Sequence, residues 1–338
     1  MPRDDRSVAR VRFEPFLPTI PGRSPRGRRC LGAEFGPLAE LAADPAITDV
    51  FVNGGEVWVD RGEGAEPHPG IHLNADEARA LAVRLISAAG RHIDEATPCI
   101  DGRLGDGVRV HAVLPPVSTH GALISVRLPA VRPMTLDDLD QAGCFPGDAR
   151  SRLEALVVRR SNVLISGATG TGKTTLLSAM LALAAPGERI VMIEDVAEAR
   201  VEHPHVVGLE ARQANIEGAG MIDLARLVRE ALRMRPDRIV LGECRGAEIR
   251  ELLAAMNTGH DGGIGTVHAN SLDDVPARLE ALGALAALGP DAIARQAVSA
   301  LDAVVHLARD GGVRRVAAIG RLVLDARDRL AIEQVWHA

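Results

Sequence analysis

Lysine and aromatic residues are nearly missing from this 338-residue sequence. Only one of its 39 basic residues is a lysine, Lys173, and the other 38 are arginines. Aromatic residues make up 2%, none of them tyrosine, and none lies between Phe145 and Trp336. Single-stranded nucleic acids are usually held by stacking on aromatic rings, so the C-terminal half is a poor candidate for such a surface. The net charge of -6 also argues against a DNA-coating protein. Nucleic acid is therefore not an expected partner.

Cysteines and long apolar runs are also scarce. The four cysteines include no CxxC pair, which predicts neither a disulfide framework nor a cysteine zinc site. The longest nearly apolar run, residues 176–185, is roughly half as long as a bilayer-spanning helix, and the first residues form no apolar signal core. The proportions of hydrophobic (46%) and charged (25%) residues are ordinary for a globular protein. We therefore expect a folded cytosolic protein of about two domains.

The residue pattern predicts a tail, a first domain and a linker. Residues 1–30 carry eight arginines interleaved with prolines. This is typical of a flexible basic tail, either solvated or in contact with anionic lipid or an acidic protein surface. Residues 31–130 predict a small α+β domain, and residues 131–148 predict a linker. The expected elements of the first domain are a hairpin over 47–60 around an Asn-Gly turn, a helix over 76–89, and strands over 108–113 and 122–126.

The second domain is predicted to have an α/β fold. From residue 149 to residue 338, strands alternate with helices, which is typical of a parallel sheet covered on both faces. The expected strands are 162–166, 189–193, 206–209, 238–241 and 264–267, and the expected helices are 149–158, 173–184, 221–234 and 247–257.

The segment Gly167-Ala-Thr-Gly-Thr-Gly-Lys-Thr-Thr175 fits the phosphate-loop pattern G-x-x-x-x-G-K-[ST], and it lies between a predicted strand and a predicted helix. Glycines let backbone N–H groups converge on phosphate oxygens, Lys173 reaches the terminal phosphates, and the Thr174 hydroxyl is suited to Mg²⁺. The sequence therefore predicts a site for ATP with Mg²⁺. The residues expected to bind the nucleotide are Gly167, Ala168, Thr169, Gly170, Thr171, Gly172, Lys173, Thr174 and Thr175.

The same glycines also resemble a dinucleotide fingerprint. The acidic pair Glu194 and Asp195 ends the next predicted strand, at about the distance of a ribose-binding carboxylate. However, the pyrophosphate of a dinucleotide needs only backbone amides, whereas a Lys-Thr pair at the start of the helix serves a triphosphate with its metal. We therefore favour the triphosphate. NAD binding that is indifferent to the loss of Lys173 would reverse this choice.

Polar residues follow the other predicted strands of this domain, at the sheet edge where ligands bind in open parallel sheets. Glu243 is expected to belong to the metal shell together with Thr174. Glu194 is expected to orient the attacking water. Thr266 and His268 share a face of their strand, and His268 is expected to register the γ-phosphate. These predictions depend on the joint placement of the residues, because none of them is diagnostic alone.

Each of these residues also has a plain structural alternative. Glu243 is close enough in sequence to pair with Arg245, Glu194 is suited to capping a turn, and a lone His268 is more often a satisfied structural histidine. Two further residues that either support the site or only shape their turn are His260 and Asp261.

Five further segments carry motifs: Glu194-Asp195, Gly242-Glu-Cys-Arg-Gly246, 258–271, Ile47-Thr-Asp-Val-Phe-Val-Asn-Gly54 and 101–116. Together they resemble the type II/type IV secretion ATPases, in particular the branch associated with tight-adherence (Tad) pili and conjugation. The resemblance runs from about residue 30 to about residue 325. The four-cysteine zinc insertion of many general secretion ATPases is missing, which points away from that branch. The first three of these segments are similar to the acidic box, the Walker B segment and the histidine box of that family, and the last two are similar to its N-terminal domain.

The resemblance implies a ring hexamer in which an N-terminal sensing domain lies over a RecA-like motor. It implies ATP hydrolysis that drives pilin assembly or export, a location peripheral to the inner face of the cell membrane, and a membrane platform protein as partner. It also implies that N-terminal arginines reach the triphosphate, with Arg127 and Arg109 as catalytic candidates and Arg103 as a third. Local pairing of Arg109 with Asp106 or Asp101 is the alternative.

Three competing functions follow from the same residues. A DNA-translocating conjugation ATPase keeps the motor and changes its load, but the net charge and the scarcity of aromatic residues count against it. A nucleotide-gated regulatory protein with negligible hydrolysis belongs to another class. A P-loop kinase is disfavoured because no arginine-rich lid is inserted between the predicted strands.

Overall fold

The computed structural model describes residues 32–62, 64–129, 132–212, 220–310 and 312–338. The chain divides into two compact units, 1–131 and 132–338. The predicted basic tail, residues 1–30, lies outside the described residues. Within the described ranges, none of the helices combines the length and the apolar character needed to cross a membrane.

The first unit is an antiparallel sheet with one main helix packed on it. The sheet order is β3-β2-β1-β6-β5-β4. Buried residues alternate with more exposed ones along β1, and its buried side chains Val50 and Val52 belong to the core that this helix, α2, covers. The elements are α1 Ala39–Ala43, β1 Asp49–Asn53, β2 Glu56–Asp60, β3 Ala65–His72, α2 Ala75–Ala88, β4 Cys99–Arg103, β5 Arg109–Val113 and β6 Leu123–Arg127.

The predicted hairpin and helix of this unit are confirmed. β1 and β2 pair around the Asn-Gly turn, where Gly54 has a φ of 69°. α2 begins with a capping box between Asn74 and Glu77. The sequence prediction missed β3 and β4. β3 contains Pro67 and Pro69, which weaken a strand pattern and are tolerated because β3 lies at the sheet edge.

The second unit is an α/β fold built on an eight-stranded sheet. The sheet order is β14-β13-β12-β7-β11-β10-β8-β9. The elements are α3 Leu136–Gln141, α4 Ala149–Val158, β7 Val163–Gly167, α5 Lys173–Leu181, β8 Ile190–Glu194, β9 Val206–Glu210, α6 Leu224–Ala231, β10 Arg238–Cys244, α7 Glu248–Met256, β11 Ile264–Val267, α8 Val275–Leu285, α9 Pro290–Ala300, β12 Ala303–Asp310, β13 Val313–Leu324 and β14 Leu330–His337.

The sheet of this unit is mixed rather than parallel throughout. The six strands from β12 to β9 are parallel, but β13 and β14 extend the edge as antiparallel strands. The predicted parallel-sheet core is therefore confirmed, whereas the antiparallel strands β13 and β14 at this edge were not predicted. Strands β13 and β14 follow one another without an intervening helix, and such a connection allows antiparallel pairing.

Helices cover both faces of the central strands, as predicted. One core lies against α6, α7, α8 and α9, and the other lies against α3, α4 and α5. β7 is buried over its whole length because it lies between these two layers.

The expected linker, residues 131–148, contains a helix. α3 begins with a capping box between Thr135 and Asp138. Its Leu136 and Leu139 pack in the second unit together with Phe145. The linker prediction rested on two prolines, and both lie outside α3, where they do not interrupt it.

Candidate nucleotide site

The phosphate loop joins the carboxyl end of β7 to the start of α5. Gly172 is the N-cap of α5 and has a φ of 92°, a left-handed conformation that favours glycine. A side chain at Gly167 would place its Cβ 2.5 Å from the Leu307 carbonyl oxygen, so only glycine fits there. The hydroxyl of Thr171 donates to the Ala168 carbonyl at 2.9 Å, which holds the turn closed. Thr174 and Thr175 lie half-exposed in the first turn of α5.

Lys173 lies inside this loop and is only 7% exposed. Its ammonium donates to the Gly167 and Ala168 carbonyl oxygens at 2.9 Å each, and its Nζ is 3.2 Å from Nδ1 of His268. A lysine has three donors, so these three contacts use all of them. Burial lowers the pKa of Lys173 below its ordinary value, and the nearby Glu243 carboxylate partly opposes this effect.

A chain of contacts continues from His268 along the neighbouring strand ends. Nε2 of His268 is 2.7 Å from Oε1 of Glu243. The other carboxylate oxygen of Glu243 accepts from Arg245 at 2.8 Å, and Arg245 lies 3.7 Å from Asp195. The structure therefore brings Lys173, His268 and Glu243 together, with Arg245 as the partner of Glu243 that the sequence analysis weighed as an alternative.

The neighbours of His268 fix its protonation. A lysine ammonium only donates and a carboxylate only accepts, so Nδ1 is the acceptor and Nε2 carries the proton. Burial, followed by the charge of Lys173, lowers the pKa of His268 below its ordinary value of 6.5, although Glu243 acts in the opposite direction. Burial raises the pKa of Glu243, but the hydrogen bond from Arg245 and nearby positive charges outweigh it, so the net pKa is lowered. At neutral pH the site thus holds a neutral imidazole and an ionised carboxylate.

Glu194 lies beside this chain of contacts, at the end of β8. It is 6% exposed, and its Oε1 accepts from the backbone N–H groups of Glu198 and Ala199 at 2.9 Å each. The carboxylate therefore caps a turn, as the structural alternative predicted. Its side chain passes directly over Gly242, where a Cβ atom would stand 2.7 Å from Cγ of Glu194. Glu194 at the end of β8 and Glu243 on the adjacent strand β10 therefore both lie next to Gly242.

Three arginines form a row across the sheet of the first unit. Arg103 on β4 pairs with Arg109 on β5, and Arg109 pairs with Arg127 on β6. Directly opposite residues of antiparallel strands project from the same face, so the three side chains share one face. Nε of Arg127 lies 3.2 Å from Oδ1 of Asp49, and its side chain is 70% exposed.

The segment that contains these residues matches a known protein family. A sequence model of the type II/IV secretion system proteins matches residues 32–319, more than half of the chain. The chain belongs to the type II/IV secretion system protein family. The resemblance to the type II/type IV secretion family stated from the sequence motifs is therefore confirmed.

Relatives in this family include proteins of conjugation and type IV secretion. The chain is 48% identical over 313 residues to a putative conjugal transfer protein of Mycobacterium tuberculosis, covering 90% of this chain and 88% of that protein. It is 32% identical to the conjugal transfer protein TrbB of Rhizobium radiobacter, over 87% of this chain and 90% of that protein. It is 31% identical to the type IV secretion system protein VirB11 of Brucella suis, over 70% and 73% of the two chains.

Two solved structures, one of an ATPase and one of a pilus retraction motor, share the fold. The ATPase DotB of Legionella pneumophila has a TM-score of 0.57 at 22% identity, and the match covers 87% of this chain and 78% of DotB. The pilus retraction motor PilT with bound ADP has a TM-score of 0.58 at 19% identity, over 86% of this chain and 80% of PilT. At these identities the likeness concerns the fold alone.

Other polar residues at the strand ends differ from the sequence expectations. Thr266 is buried and donates to the Gly242 carbonyl at 2.6 Å, so it ties β11 to β10. His260 and Asp261 precede β11, whereas His268 follows it. Because a parallel strand enters the sheet at one edge and leaves at the other, this pair lies at the edge opposite Lys173. The suggestion that it supports the site is therefore wrong.

The sequence analysis missed a second histidine next to the loop. His306 on β12 is buried, and its Nδ1 is 3.0 Å from the Ser166 hydroxyl, one residue before Gly167. A hydrogen bond also joins it to the backbone of Asn270, in the segment that follows His268. Burial is the main cause that lowers the pKa of His306. A buried histidine in a strand adjacent to a phosphate loop is the only signal in the sequence, and it requires knowledge of the strand order.

A pH dependence follows from the neutral state of His268. Its folded pKa lies below 6.5, so the unfolded chain binds this proton more readily between the two values. The stability associated with neutral His268 is therefore intact above pH 6.5 and is lost as pH falls through that interval. Lowering the pH from about 7.5 to about 5.5 should reduce the melting temperature of the wild type more than that of His268→Gln, which keeps a donor and an acceptor but does not titrate. Thermal unfolding at several pH values measures this difference. Parallel curves for the two proteins would contradict this expectation. His306 is present in both proteins, so its contribution to the pH dependence of stability cancels in the comparison.

The Gly242→Ala variant should disturb Glu194 without disturbing the fold. The φ of Gly242 is outside the left-handed region, so alanine is tolerated by the backbone, but its methyl group would press on Cγ of Glu194. We expect ATP turnover to fall roughly tenfold to a hundredfold, because displacement of a positioned group by about 1 Å has such effects. The matched control is Gly208→Ala on the edge strand β9, where no atom lies within 4 Å of the added Cβ. Equal activity of the two variants would remove Glu194 from the site.

Proposed function

We propose that the chain is an Mg²⁺-dependent ATPase that powers a pilus or a type II/IV-type secretion machine. The observation that carries the proposal is the contact of buried Lys173, in a phosphate loop, with His268, and of His268 with Glu243. A site for a metal-bound triphosphate needs a cation and converging amides for the phosphate oxygens, a carboxylate for the metal shell, and a neutral donor near the γ-phosphate. The loop, β10 and β11 supply these groups at one edge of the sheet, in a RecA-like arrangement.

The residues fit a magnesium-bound triphosphate. Magnesium is typically held by one or two carboxylates, a hydroxyl and the phosphates themselves rather than by a full protein cage. The Thr174 hydroxyl at the start of α5 and the Glu243 carboxylate are the groups that would hold it. Bound Mg²⁺ would neutralise charge on the phosphate oxygens.

Each protein group then has a role defined by its present contacts. Lys173 exchanges its two carbonyl contacts for phosphate oxygens, which satisfy the same donors with full negative charge. Neutral His268 has one proton, on Nε2, so it would donate to the γ-phosphate by exchanging its contact with Glu243 for a phosphate oxygen. Glu194 is anchored by two backbone amides. These two amides fix the orientation of the carboxylate, and a carboxylate held in one orientation is suited to positioning the attacking water.

The arginine row supplies the remaining positive charge in this proposal. Three arginines on one face concentrate positive charge that can be directed at a phosphate group. We assign Arg109 and Arg127 to the γ-phosphate, with Arg103 behind them. Binding of ATP would draw the N-terminal domain onto the nucleotide, and loss of the γ-phosphate would release it. The domains proposed for this cycle are residues 31–130 and 149–338.

Membership of the family supports a proposal for the assembly and the location of the protein as well as for its reaction. The proposed assembly is a homo-oligomeric ring, a hexamer, that docks on an inner-membrane platform protein from the cytoplasmic side. The resemblance to the tight-adherence branch favours pilin as the cargo. A single experiment tests the enzymatic part. The full chain should release phosphate from ATP, and EDTA should abolish the release. Tight nucleotide binding without turnover, even at protein concentrations that favour a ring, would instead support a nucleotide-gated regulator.

One observation favours a second function. Relatives that align with most of this chain are named conjugal transfer proteins, so DNA transfer is the alternative load for the same motor. Turnover stimulated by DNA, with a steep dependence on salt, would support it. Turnover that is indifferent to DNA favours the protein-export function.

A further inference from the structure

The hairpin of β12 and β13 extends beyond the phosphate loop on one side. Leu307 of β12 pairs with Gly167, the residue at which β7 ends and the loop begins. The last residues of β12, and the first residues of β13 that pair with them, therefore continue past the sheet edge at which the loop lies. Arg309 and Arg314 pair directly across this extension.

Arg314 faces the phosphate loop rather than the opposite side of the sheet. Side chains two residues apart on a strand share a face, and Val316 is buried in the core that contains Leu176 and Leu177 of α5. The Cδ atom of Arg314 lies 3.6 Å from the position that a Cβ atom on Gly172 would occupy. The stem of Arg314 therefore runs along the N-cap of α5.

No acidic side chain neutralises Arg314 among the described residues. Its neighbour Arg315, which faces the other side of the strand, forms a salt bridge with Asp310. Arg314, by contrast, is exposed, has no carboxylate within 4 Å in the described part of the chain, and stands opposite Arg309. Two opposed arginines without a counterion are unfavourable, so an anion would stabilise this pair.

The strand order indicates the direction in which the phosphate chain of a bound nucleotide runs across the sheet edge. Glu194, Glu243 and His268 lie at the carboxyl ends of β8, β10 and β11, which are all on one side of β7, whereas β12 and β13 lie on its other side. A triphosphate whose γ-phosphate points toward the acids must direct its α-phosphate toward the hairpin. We propose that Arg314 binds the α-phosphate of the nucleotide and thereby sets its affinity. This inference rests on the proposed nucleotide site.

Binding of one diphosphate ligand and one triphosphate ligand tests the proposed α-phosphate contact directly. The full chain, wild type or Arg314→Gln, is titrated calorimetrically with ADP and, in the presence of Mg²⁺, with the non-hydrolysable analogue AMP-PNP. Both ligands carry the α-phosphate, so we expect Arg314→Gln to weaken both by the same factor, about tenfold for one lost charge-assisted contact. The matched control is Arg315→Gln, which removes the same charge from the same strand and should change neither affinity by more than about twofold.

Further measurements separate a contact from a structural effect. Arg314→Lys keeps a charge but not the planar fork, so its affinity should lie between those of the wild type and Arg314→Gln. The difference between wild type and Arg314→Gln should shrink as KCl is raised, because salt screens an exposed charge. In turnover, KM should rise with kcat nearly unchanged.

The outcomes distinguish this inference from the function on which it rests. Unchanged affinity of Arg314→Gln, or a loss confined to AMP-PNP, overturns the α-phosphate contact while the ATPase stands. A wild-type chain that binds neither ligand overturns the proposed function itself. A variant that melts well below the wild type without nucleotide, and whose loss of affinity is independent of salt, assigns Arg314 a packing role and also overturns the inference.

Discussion

The Glu243→Gln variant should bind ATP as tightly as the wild type but release phosphate roughly a hundredfold to a thousandfold more slowly. Glutamine has the same shape and still accepts the proton of His268 Nε2, so the contact that orders His268 and Lys173 is kept. What it lacks is the negative charge, which the metal shell requires in the transition state. The expected signature is a fall in kcat without a rise in KM, measured by steady-state phosphate release.

A control for this result is Glu251→Gln, a charge-neutralising change of the same kind on α7. Glu251 pairs with Arg229 of α6 at 2.9 Å. It should retain full turnover. Turnover of Glu243→Gln within a factor of about three of this control would remove Glu243 from the reaction.

The Lys173→Arg variant should lose ATP binding although it keeps the charge. We expect affinity to fall at least about a hundredfold, equivalent to roughly 3 kcal/mol. Lys173 is almost fully buried, and its compact ammonium fits between two carbonyl oxygens and a histidine nitrogen. A planar guanidinium is larger and holds its donors in a fixed fork, so it cannot take up this geometry. Fluorescent-nucleotide binding by wild type, Lys173→Arg and Lys173→Ala measures the effect.

The reverse exchange on the surface serves as the control. Arg233→Lys changes an exposed side chain near the end of α6 and should leave binding unchanged. If Lys173→Arg binds ATP nearly as well as the wild type, then the position requires only a positive charge. The rarity of lysine in this sequence would then say nothing about the site.

Much of the second unit was predictable because its signals are local. Short apolar strands, a glycine loop and helical periodicity identified β7, α5, β8, β10 and β11 within a few residues. The antiparallel strands β13 and β14 were missed because they carry no regular alternation over their length and are stabilised mainly by pairing with neighbours that are distant in sequence. For the same reason, edge strands β3 and β4 escaped prediction.

The site was predictable as a set of residues but not as a network. The carboxyl-end rule for parallel sheets brings Lys173, His268 and Glu243 to one edge. It does not say that Arg245 takes one oxygen of Glu243, that two backbone amides take one oxygen of Glu194, or that Ser166 meets a histidine of β12. These partners depend on side-chain directions that only the folded chain defines. Arg314 belongs to the same class, because its place beside Gly172 depends on the antiparallel edge.

The single lysine has a consequence beyond catalysis. Enzymes that tag proteins through an isopeptide bond, and those that acylate side-chain amines, need an accessible ε-amino group. In this chain the sole such group is only 7% exposed and is engaged by three acceptors. Burial also favours its uncharged form, but the amine stays out of reach of a conjugating enzyme. The folded chain therefore offers almost no target for lysine-directed modification, and any such modification would mark a molecule whose loop has opened.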